Sequence, residues 1–372
     1  MNNVSDNNID VLPDALTGTS IITSVTKEIT LNTLGDTIEE SAYKDATIIK
    51  VRPNSASAYS ETTILDLSST ELETIEDYAF ASCTSLTEIK LPSTLTSIGQ
   101  YAFSGCSNLT KINIPSNVTT LNNYAFYGCT ALTTVTFDGK SSLNKLNDWV
   151  FSRCTSLTTI TLPESVVTLG NNVFADNSKL TNINLDNITS FGSQCLNGCR
   201  LTSINLSSNI TTLKETALYN CLSKDNSYSF TITIPSTVTT CGTRVLEENP
   251  RITTVNWYAN LDNIPEKTFN GDKGLTTVNL PSNYSSLKTI NASAFYNCSS
   301  LTTINNLPLV NTKDSNGKYI NNVTKIGNEA FYNCTKLTGN FFIRSDVNMD
   351  EDEAFKEIAN PKYTINYFNV SE

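Results

Sequence analysis

The sequence predicts a solenoid, mostly of β-structure, in which short coils are stacked one on another. The phrase Ala-Phe-x-x-Cys recurs in five places: residues 79–83, 102–106, 125–129, 294–298 and 330–334. Phe80, Phe103 and Phe126 are 23 residues apart, and weaker copies of the phrase fill the long gap between the early and late matches. A fixed period of this length is typical of stacked repeats rather than of a closed globule.

One period shows how a coil is built. Residues 86–91 read Leu-x-x-Ile-x-Leu with charged residues between the apolar ones, which predicts a strand with one buried face. Pro92 cannot donate to a strand ladder and ends this strand. Apolar residues within 95–98 then point inward on the return segment, Gly99 permits a tight bend, and Phe103 fills the core.

Large apolar residues recur at the position of Phe103, and we call them anchors. The anchors are Phe80, Phe103, Phe126, Phe151, Phe174, Leu196, Leu218, Leu246, Phe269, Phe295, Phe331 and Phe355. So many repeats are enough for a continuous core, because each coil covers the apolar face of its neighbour.

The string LxxIxLPxxLxxIGxxAFxxC resembles the BspA-like branch of the leucine-rich repeat proteins, over roughly residues 65–337. The resemblance implies a right-handed curved solenoid with a concave parallel β-sheet, made of about 11–12 repeats of about 23 residues. It also implies a secreted or surface-attached protein that mediates adhesion to host matrix proteins or to other cells.

The repeat suggests three segments along the chain. Residues 1–60 do not fit the pattern and are expected to cap the first coil, since a stack exposes apolar ends. Residues 61–340 hold the repeats, and residues 341–372 hold a degenerate last repeat and a C-terminal cap. Two inserts, at 223–229 and 305–322, are expected to protrude from opposite edges of the sheet, either as specificity loops or as drift in tolerant loops.

Eight of the ten cysteines lie three residues after an anchor, so they occupy one position in successive coils. Asn177, Asn249 and Asp272 replace cysteine in other coils, and all three residue types are small and can hydrogen-bond a backbone group in a turn. We therefore expect a row of free, buried thiols, although neighbouring coils would be close enough for a disulfide. Cys195 and Cys199 form a weak CxxxC metal signal that their repeat positions explain better.

Composition excludes several functions. The formal net charge of −11, without a cluster of Lys or Arg, argues against nucleic acid. No apolar run approaches the roughly 20 residues that span a bilayer, so no membrane insertion is expected. The chain as given shows neither a leader nor an anchor, and we expect it to belong to a secreted or cell-surface protein.

The sequence contains no histidine, which removes the common nucleophilic triads and most catalytic zinc sites. Neither GxGxxG nor GxxxxGK[ST] occurs. We therefore expect no enzyme activity, no cofactor and no metal site.

The outward positions of the predicted strands carry mainly uncharged hydrogen-bonding side chains, and these are the candidate binding residues. They are Thr134, Thr136, Thr159, Thr161, Asn182, Asn184, Ser203, Asn205, Thr254 and Asn256. The alternative is that threonine is simply a good exposed strand residue. Trp149, just before an anchor, is either core or an exposed contact.

The sequence thus predicts a non-enzymatic binding or adhesion protein that acts as a monomer. Its concave face and edge loops would bind a protein or glycan on a host or neighbouring cell surface. The alternative is a passive structural spacer that displays other domains of a longer surface protein.

Overall fold

The computed structural model describes residues 4–5, 28–31, 48–51, 64–225, 229–282, 286–307, 322–349, 351–358 and 363–368. It contains two compact units, Met1–Asn187 and Ile188–Glu372. Most of the predicted insert at 305–322, and the middle of the insert at 223–229, lie outside the described residues. The division into an N-terminal cap, repeats and a C-terminal cap stays a prediction.

Most coils supply a front strand, which follows the Leu-x-x-Ile pattern, and a back strand on the return segment. The strands of the first unit are β1 (Val4–Ser5), β2 (Glu28–Leu31), β3 (Ile48–Val51), β4 (Ile64–Asp66), β5 (Thr74–Ile75), β6 (Glu88–Lys90), β7 (Ser97–Ile98), β8 (Lys111–Ile114), β9 (Thr120–Leu121), β10 (Thr134–Phe137), β11 (Lys145–Leu146), β12 (Thr159–Ile160), β13 (Thr168–Leu169) and β14 (Asn182–Ile183).

The second unit begins with two successive back strands, because the predicted front strand around Ser203 and Asn205 is absent and only an isolated bridge forms at Leu201. The alternation then resumes, and the unit ends with a short helix and a strand pair. Its elements are β15 (Ser190–Phe191), β16 (Thr212–Leu213), β17 (Phe230–Ile234), β18 (Thr240–Cys241), β19 (Ile252–Trp257), β20 (Asn263–Ile264), β21 (Thr277–Asn279), β22 (Thr289–Ile290), β23 (Thr303–Asn305), β24 (Lys325–Ile326), β25 (Gly339–Arg344), α1 (Glu351–Ala354) and β26 (Tyr363–Phe368).

Strands of successive coils pair in parallel, each residue with its equivalent one coil later. In the first unit the front strands pair as β4–β6–β8–β10 and β12–β14, and the back strands as β3–β5–β7–β9 and β11–β13. β2 adds in parallel to β3, and β1 adds to β2 in antiparallel fashion. In the second unit the front strands pair as β17–β19–β21–β23 and the back strands as β15–β16–β18 and β20–β22–β24, while β25 pairs with β26. The predicted stack of parallel-strand coils is confirmed.

The anchors form a column of stacked rings in each unit. The ring centroids of Phe103 and Phe126 are 5.2 Å apart with planes within 3° of parallel, and those of Phe295 and Phe331 are 5.2 Å apart at 4°. These rings are fully buried. Because equivalent residues pair across coils, one phenylalanine per period is enough to build a continuous core.

Threonine hydroxyls join consecutive coils just before the front strands. The Thr110 hydroxyl donates to the carbonyl of Thr87 at 3.1 Å, and the Thr133 hydroxyl donates to the carbonyl of Thr110 at 3.0 Å. In the second unit, Thr276 donates in the same way to the carbonyl of Thr253 at 2.9 Å. Much of the threonine in this sequence therefore serves contact between coils as well as solubility of the sheet.

Gly99 is needed for a different reason from the predicted tight bend. Its φ lies outside the left-handed region, but a Cβ atom at this position would lie 2.5 Å from the backbone nitrogen of Asp77 in the preceding coil. The close approach of two backbones, rather than the bend itself, excludes a side chain.

We expect Gly99→Ala to lower the free energy of unfolding by about 1–3 kcal/mol, because the new methyl group forces two coils apart. Urea denaturation measures this change. Asn122 occupies the same position one coil later, and Asn122→Ala, which removes a 3.2 Å hydrogen bond to the carbonyl of Ile98, is the matched control with a cost of about 1 kcal/mol. Equal costs for the two variants would contradict the explanation for Gly99.

Candidate binding surface

The outward side chains of the front strands form what we call the front row. In the first unit, Thr134 and Thr136 lie on β10, Thr159 on β12 and Asn182 on β14. Parallel pairing places Thr159 directly beside Asn182. Thr161 and Asn184 follow shortly after the last residues of β12 and β14, so that the row continues beyond the strands.

The charged residues of this row neutralise one another at its N-terminal end. Lys90 Nζ lies 2.6 Å from Asp66 Oδ2, and Lys111 Nζ lies 3.1 Å from Glu88 Oε2. Hydrogen bonds from Lys90 and then from Ser68 lower the pKa of Asp66 to about 2. These pairs are cross-strand neighbours, and the positions further along β10, β12 and β14 are uncharged.

Three of the candidate residues in the first unit are already engaged inside the protein. The Thr134 hydroxyl lies 3.4 Å from the hydroxyl of Thr133. The Thr136 hydroxyl donates to Asn113 Oδ1 at 2.7 Å. Asn184 pairs with the backbone of Leu162 one coil earlier: Oδ1 accepts from the Leu162 nitrogen at 2.6 Å and Nδ2 donates to its carbonyl at 3.0 Å. The Asn184 amide thus extends the coil-to-coil pairing where β12 and β14 end.

Thr159, Thr161 and Asn182 differ from these residues, and we call them the front patch. All three are exposed. None of them makes a side-chain hydrogen bond to any part of the chain that the structure describes. Their hydroxyl and amide groups lie side by side at the spacing of neighbouring strands, about 4.8 Å, and are free to bind an external partner.

In the second unit, too, some candidate side chains are exposed and others are hydrogen-bonded between coils. Ser203 and Asn205 are exposed, whereas Thr254 and Asn256 are half-buried. Asn256 belongs to a ladder of amides in which Asn279 Nδ2 donates to Asn256 Oδ1 at 2.8 Å and Asn305 Nδ2 donates to Asn279 Oδ1 at 2.7 Å. Asn256 Nδ2 in turn donates to Thr233 Oγ1 at 2.9 Å. This ladder stabilises the sheet and leaves Asn256 less available than Asn205.

A row of stacked aromatic side chains in the first unit was missed by the sequence analysis, which singled out only Trp149. Tyr78, Tyr101, Tyr124 and Trp149 each lie two residues before an anchor, and their ring centroids are 4.9, 4.5 and 5.6 Å apart. Tyr78 is 46 % exposed and the other three are half-buried. Because each ring covers the face of the next, only the ring edges and polar tips point outward. The period of 23 to 25 residues between these aromatic residues was the available signal.

The cysteines form the predicted row of free, buried thiols. All ten are free, and nine are buried, Cys241 being half-buried. Five of the thiols, those of Cys106, Cys129, Cys154, Cys298 and Cys334, donate to the carbonyl of the anchor one coil earlier. The distances are 3.1 Å from Cys106 to Phe80 and 3.2 Å from Cys129 to Phe103. Asn177 Nδ2 makes the same bond to Phe151 at 3.0 Å. The shared hydrogen bond is confirmed, although its acceptor lies in the preceding coil rather than in the same turn.

Burial also makes these thiols chemically inert. It raises the pKa of Cys83 and Cys154 to about 12, so the nucleophilic and metal-binding thiolate form is scarce at neutral pH. Within the described residues, no three His, Cys, Asp or Glu side chains come together as a possible metal site.

Parallel strands stacked in register, one buried anchor per period and a row of outward polar residues define a leucine-rich repeat solenoid. The family description "BspA type Leucine rich repeat region" matches residues 23–112, 53–141, 101–225, 224–316 and 309–371. These matches together extend over nearly the whole sequence. The chain belongs to the BspA-type leucine-rich repeat family.

A solved structure agrees with this fold. A leucine-rich repeat protein from Bacteroides ovatus is 22 % identical, and the match covers 97 % of this chain and 100 % of that chain with a TM-score of 0.65. A leucine-rich cell surface protein from Faecalibacterium prausnitzii is 21 % identical over 84 % of this chain and 89 % of that chain, with a TM-score of 0.48. No curated protein matches the sequence.

Across the described residues, no helix has the length and apolar character needed to cross a membrane.

Proposed function

We propose that this chain is a non-enzymatic, secreted or cell-surface binding protein whose front rows contact a protein or glycan on a host or neighbouring cell. The observation that carries the proposal is the front patch, whose exposed hydroxyl and amide groups have no partner in the described part of the chain. Thr136 and Asn184, which are close to the front patch, use their side chains in hydrogen bonds between coils. The side chains of the front patch make no such bond, so they do not contribute to a purely structural spacer in this way.

The chemistry of the described residues also favours binding over catalysis. The sequence has no histidine, burial raises the pKa of the Cys83 and Cys154 thiols, and the front row carries uncharged groups that donate and accept hydrogen bonds. Such groups recognise a partner by hydrogen bonding and shape. The resemblance of the repeats to BspA-like leucine-rich repeat proteins implies a secreted or surface-attached protein, in agreement with this proposal.

Replacing Thr159 and Asn182 together by glutamate is expected to reduce attachment at least tenfold, since the two new carboxylates repel each other and cannot donate hydrogen bonds. The probes are surfaces coated with fibronectin, collagen or laminin, and fixed epithelial cells, with bound protein measured by fluorescence. Asn144→Glu is the matched control, because Asn144 is exposed in the same unit but lies on the return segment.

The same experiment separates binding from the spacer alternative. A chain that attaches to none of these surfaces supports the spacer. A wild-type chain that attaches equally well with and without the two glutamates contradicts the front patch as the contact surface.

A further inference from the structure

The second unit contains a groove of about 750 Å³ beside the back strands. It extends over five successive segments of chain, from Cys241 through Asn263, Asn291 and Lys325 to Asn348. The groove is separate from the front row of this unit, whose residues do not line it.

The groove begins where the back sheet of this unit is interrupted. β15, β16 and β18 form one ladder, and β20, β22 and β24 form another. Cys241, at the end of β18, occupies the position that Ile98 and Leu121 fill in other coils, and it is half-buried whereas those two are completely buried. A smaller side chain at this break leaves space that the larger residues fill elsewhere.

The floor of the groove is made of residues with little or no side chain, among them Gly242, Ala292 and Gly327. Its backbone groups are occupied by neighbouring coils: the nitrogen of Gly242 donates to the carbonyl of Leu213 at 2.8 Å, and that of Gly327 donates to Ile290 at 2.8 Å. These two nitrogens are therefore not available to an added peptide strand.

The polar lining consists mainly of carboxamides, contributed by Asn263, Asn291, Asn328 and Asn348. Each carboxamide offers a donor and an acceptor next to each other, which matches the donor and acceptor capacity of sugar hydroxyls. The side chains of Asn328 and Asn348 make no hydrogen bond to any described residue, whereas Asn291 Nδ2 donates to Asn263 Oδ1 at 3.3 Å.

The charge of the groove is balanced, since its lining contains one ammonium, on Lys325, and one carboxylate, on Glu266. A single cation in a chain with a net charge of −11 does not favour a polyanion such as nucleic acid or a sulfated glycan. The lining includes no aromatic residue, and its apolar side chains are those of Pro265, Ala292, Ile326 and Met349. We propose that this groove binds a neutral oligosaccharide that lies along the row of asparagines.

The proposal is tested by calorimetric titration of the whole chain with cellohexaose, laminarihexaose and mannohexaose. A heparin-derived oligosaccharide and a neutral extended peptide serve as comparison probes. At least one neutral sugar is expected to bind saturably. Asn328→Ala combined with Asn348→Ala is expected to weaken that binding at least about tenfold, because the two amides that are free to bind are lost.

Asn209→Ala is the matched control: it removes an exposed amide of the same unit that lies outside both the groove and the front row, and it leaves the affinity within about twofold. The proposal is overturned if no neutral sugar binds, if the sulfated sugar or the peptide binds more tightly, or if the double variant binds like the wild type. Sugar binding that survives Thr159→Glu with Asn182→Glu separates this site from the front patch, so that either proposal can fail alone.

Discussion

Replacing Phe126 by alanine is expected to lower the free energy of unfolding by about 3–5 kcal/mol. Phe126 is fully buried, and its ring lies between those of Phe103 and Phe151, with centroid distances of 5.2 and 5.4 Å. The backbone nitrogens of the two neighbouring phenylalanines donate to the following coil, Phe103 to Ala125 at 2.8 Å and Phe151 to Val173 at 3.0 Å. Because this pairing fixes their backbones, neither ring can move into the vacated space. The loss therefore includes both the buried apolar surface and the contacts across a cavity.

Tyr124→Ala in the same coil is the matched control. Tyr124 also stacks between two rings, Tyr101 at 4.5 Å and Trp149 at 5.6 Å, but it is half-exposed, so its loss is expected to cost only about 1 kcal/mol. Urea denaturation gives both values, and hydrogen exchange of the adjoining coils shows where the protection is lost. Similar costs for Phe126 and Tyr124 would contradict the assignment of the core column as the main source of stability.

Replacing Asp272 by asparagine is expected to stabilise the protein by about 1–3 kcal/mol at pH 7, since a buried acceptor without a partner costs that much. Asp272 is completely buried in a cysteine position. Its Oδ1 accepts from the backbone nitrogen of Asn249 at 2.8 Å, but its Oδ2 has no partner among the described residues. Asn249, in the equivalent position one coil earlier, donates through Nδ2 to the anchor carbonyl of Leu218 at 2.7 Å, and an amide at 272 supplies the same donor.

The stabilisation by Asp272→Asn is expected to depend on pH. Burial raises the pKa of the Asp272 carboxyl well above its usual value of 3.8. The folded chain then holds the proton more tightly than the unfolded chain, so the wild type loses stability as the pH rises above about 4, towards the raised pKa. The asparagine variant has no such proton, and its advantage should grow from pH 4 to pH 7.

Thermal and urea unfolding at pH 4 and pH 7 measure this difference. Asp138→Asn is the control, because Asp138 is exposed and its replacement should leave the stability nearly unchanged at both values. A variant at 272 that is no more stable than the wild type at pH 7, or whose advantage shrinks as the pH rises, would contradict the account of the buried carboxyl.

The fold was predictable because its information is local and periodic. The spacing of Phe80, Phe103 and Phe126 places one large side chain per coil in the core, and Pro92 marks the end of a front strand. The register of the cysteines indicated that they share one position, and the substitution of asparagine indicated a hydrogen bond. These signals repeat, so each coil confirms the pattern of the next.

The parts that the sequence did not predict depend on which atoms of two coils meet. Asn182 and Asn184 are the same residue type two positions apart, yet only the second pairs with the backbone of Leu162. The sequence suggested that Gly99 permits a tight bend, because a sequence does not show that the backbone of Asp77 lies directly beside it in the preceding coil. The groove near Cys241 results from a missing strand pairing between β18 and β20, and a ladder that does not form leaves no motif in a sequence.

The hydroxyls of Thr110 and Thr133 and the thiols of Cys106 and Cys129 all reach back one coil to the equivalent acceptor. Every junction between coils therefore presents nearly the same two complementary faces. Recombination that duplicates or removes one entire winding leaves both faces matched at the new junction, whereas a gain of a few residues must be absorbed in a turn. Proteins built in this way can gain or lose whole coils during evolution. The length of the molecule then changes, while the packing of the core within each coil stays the same.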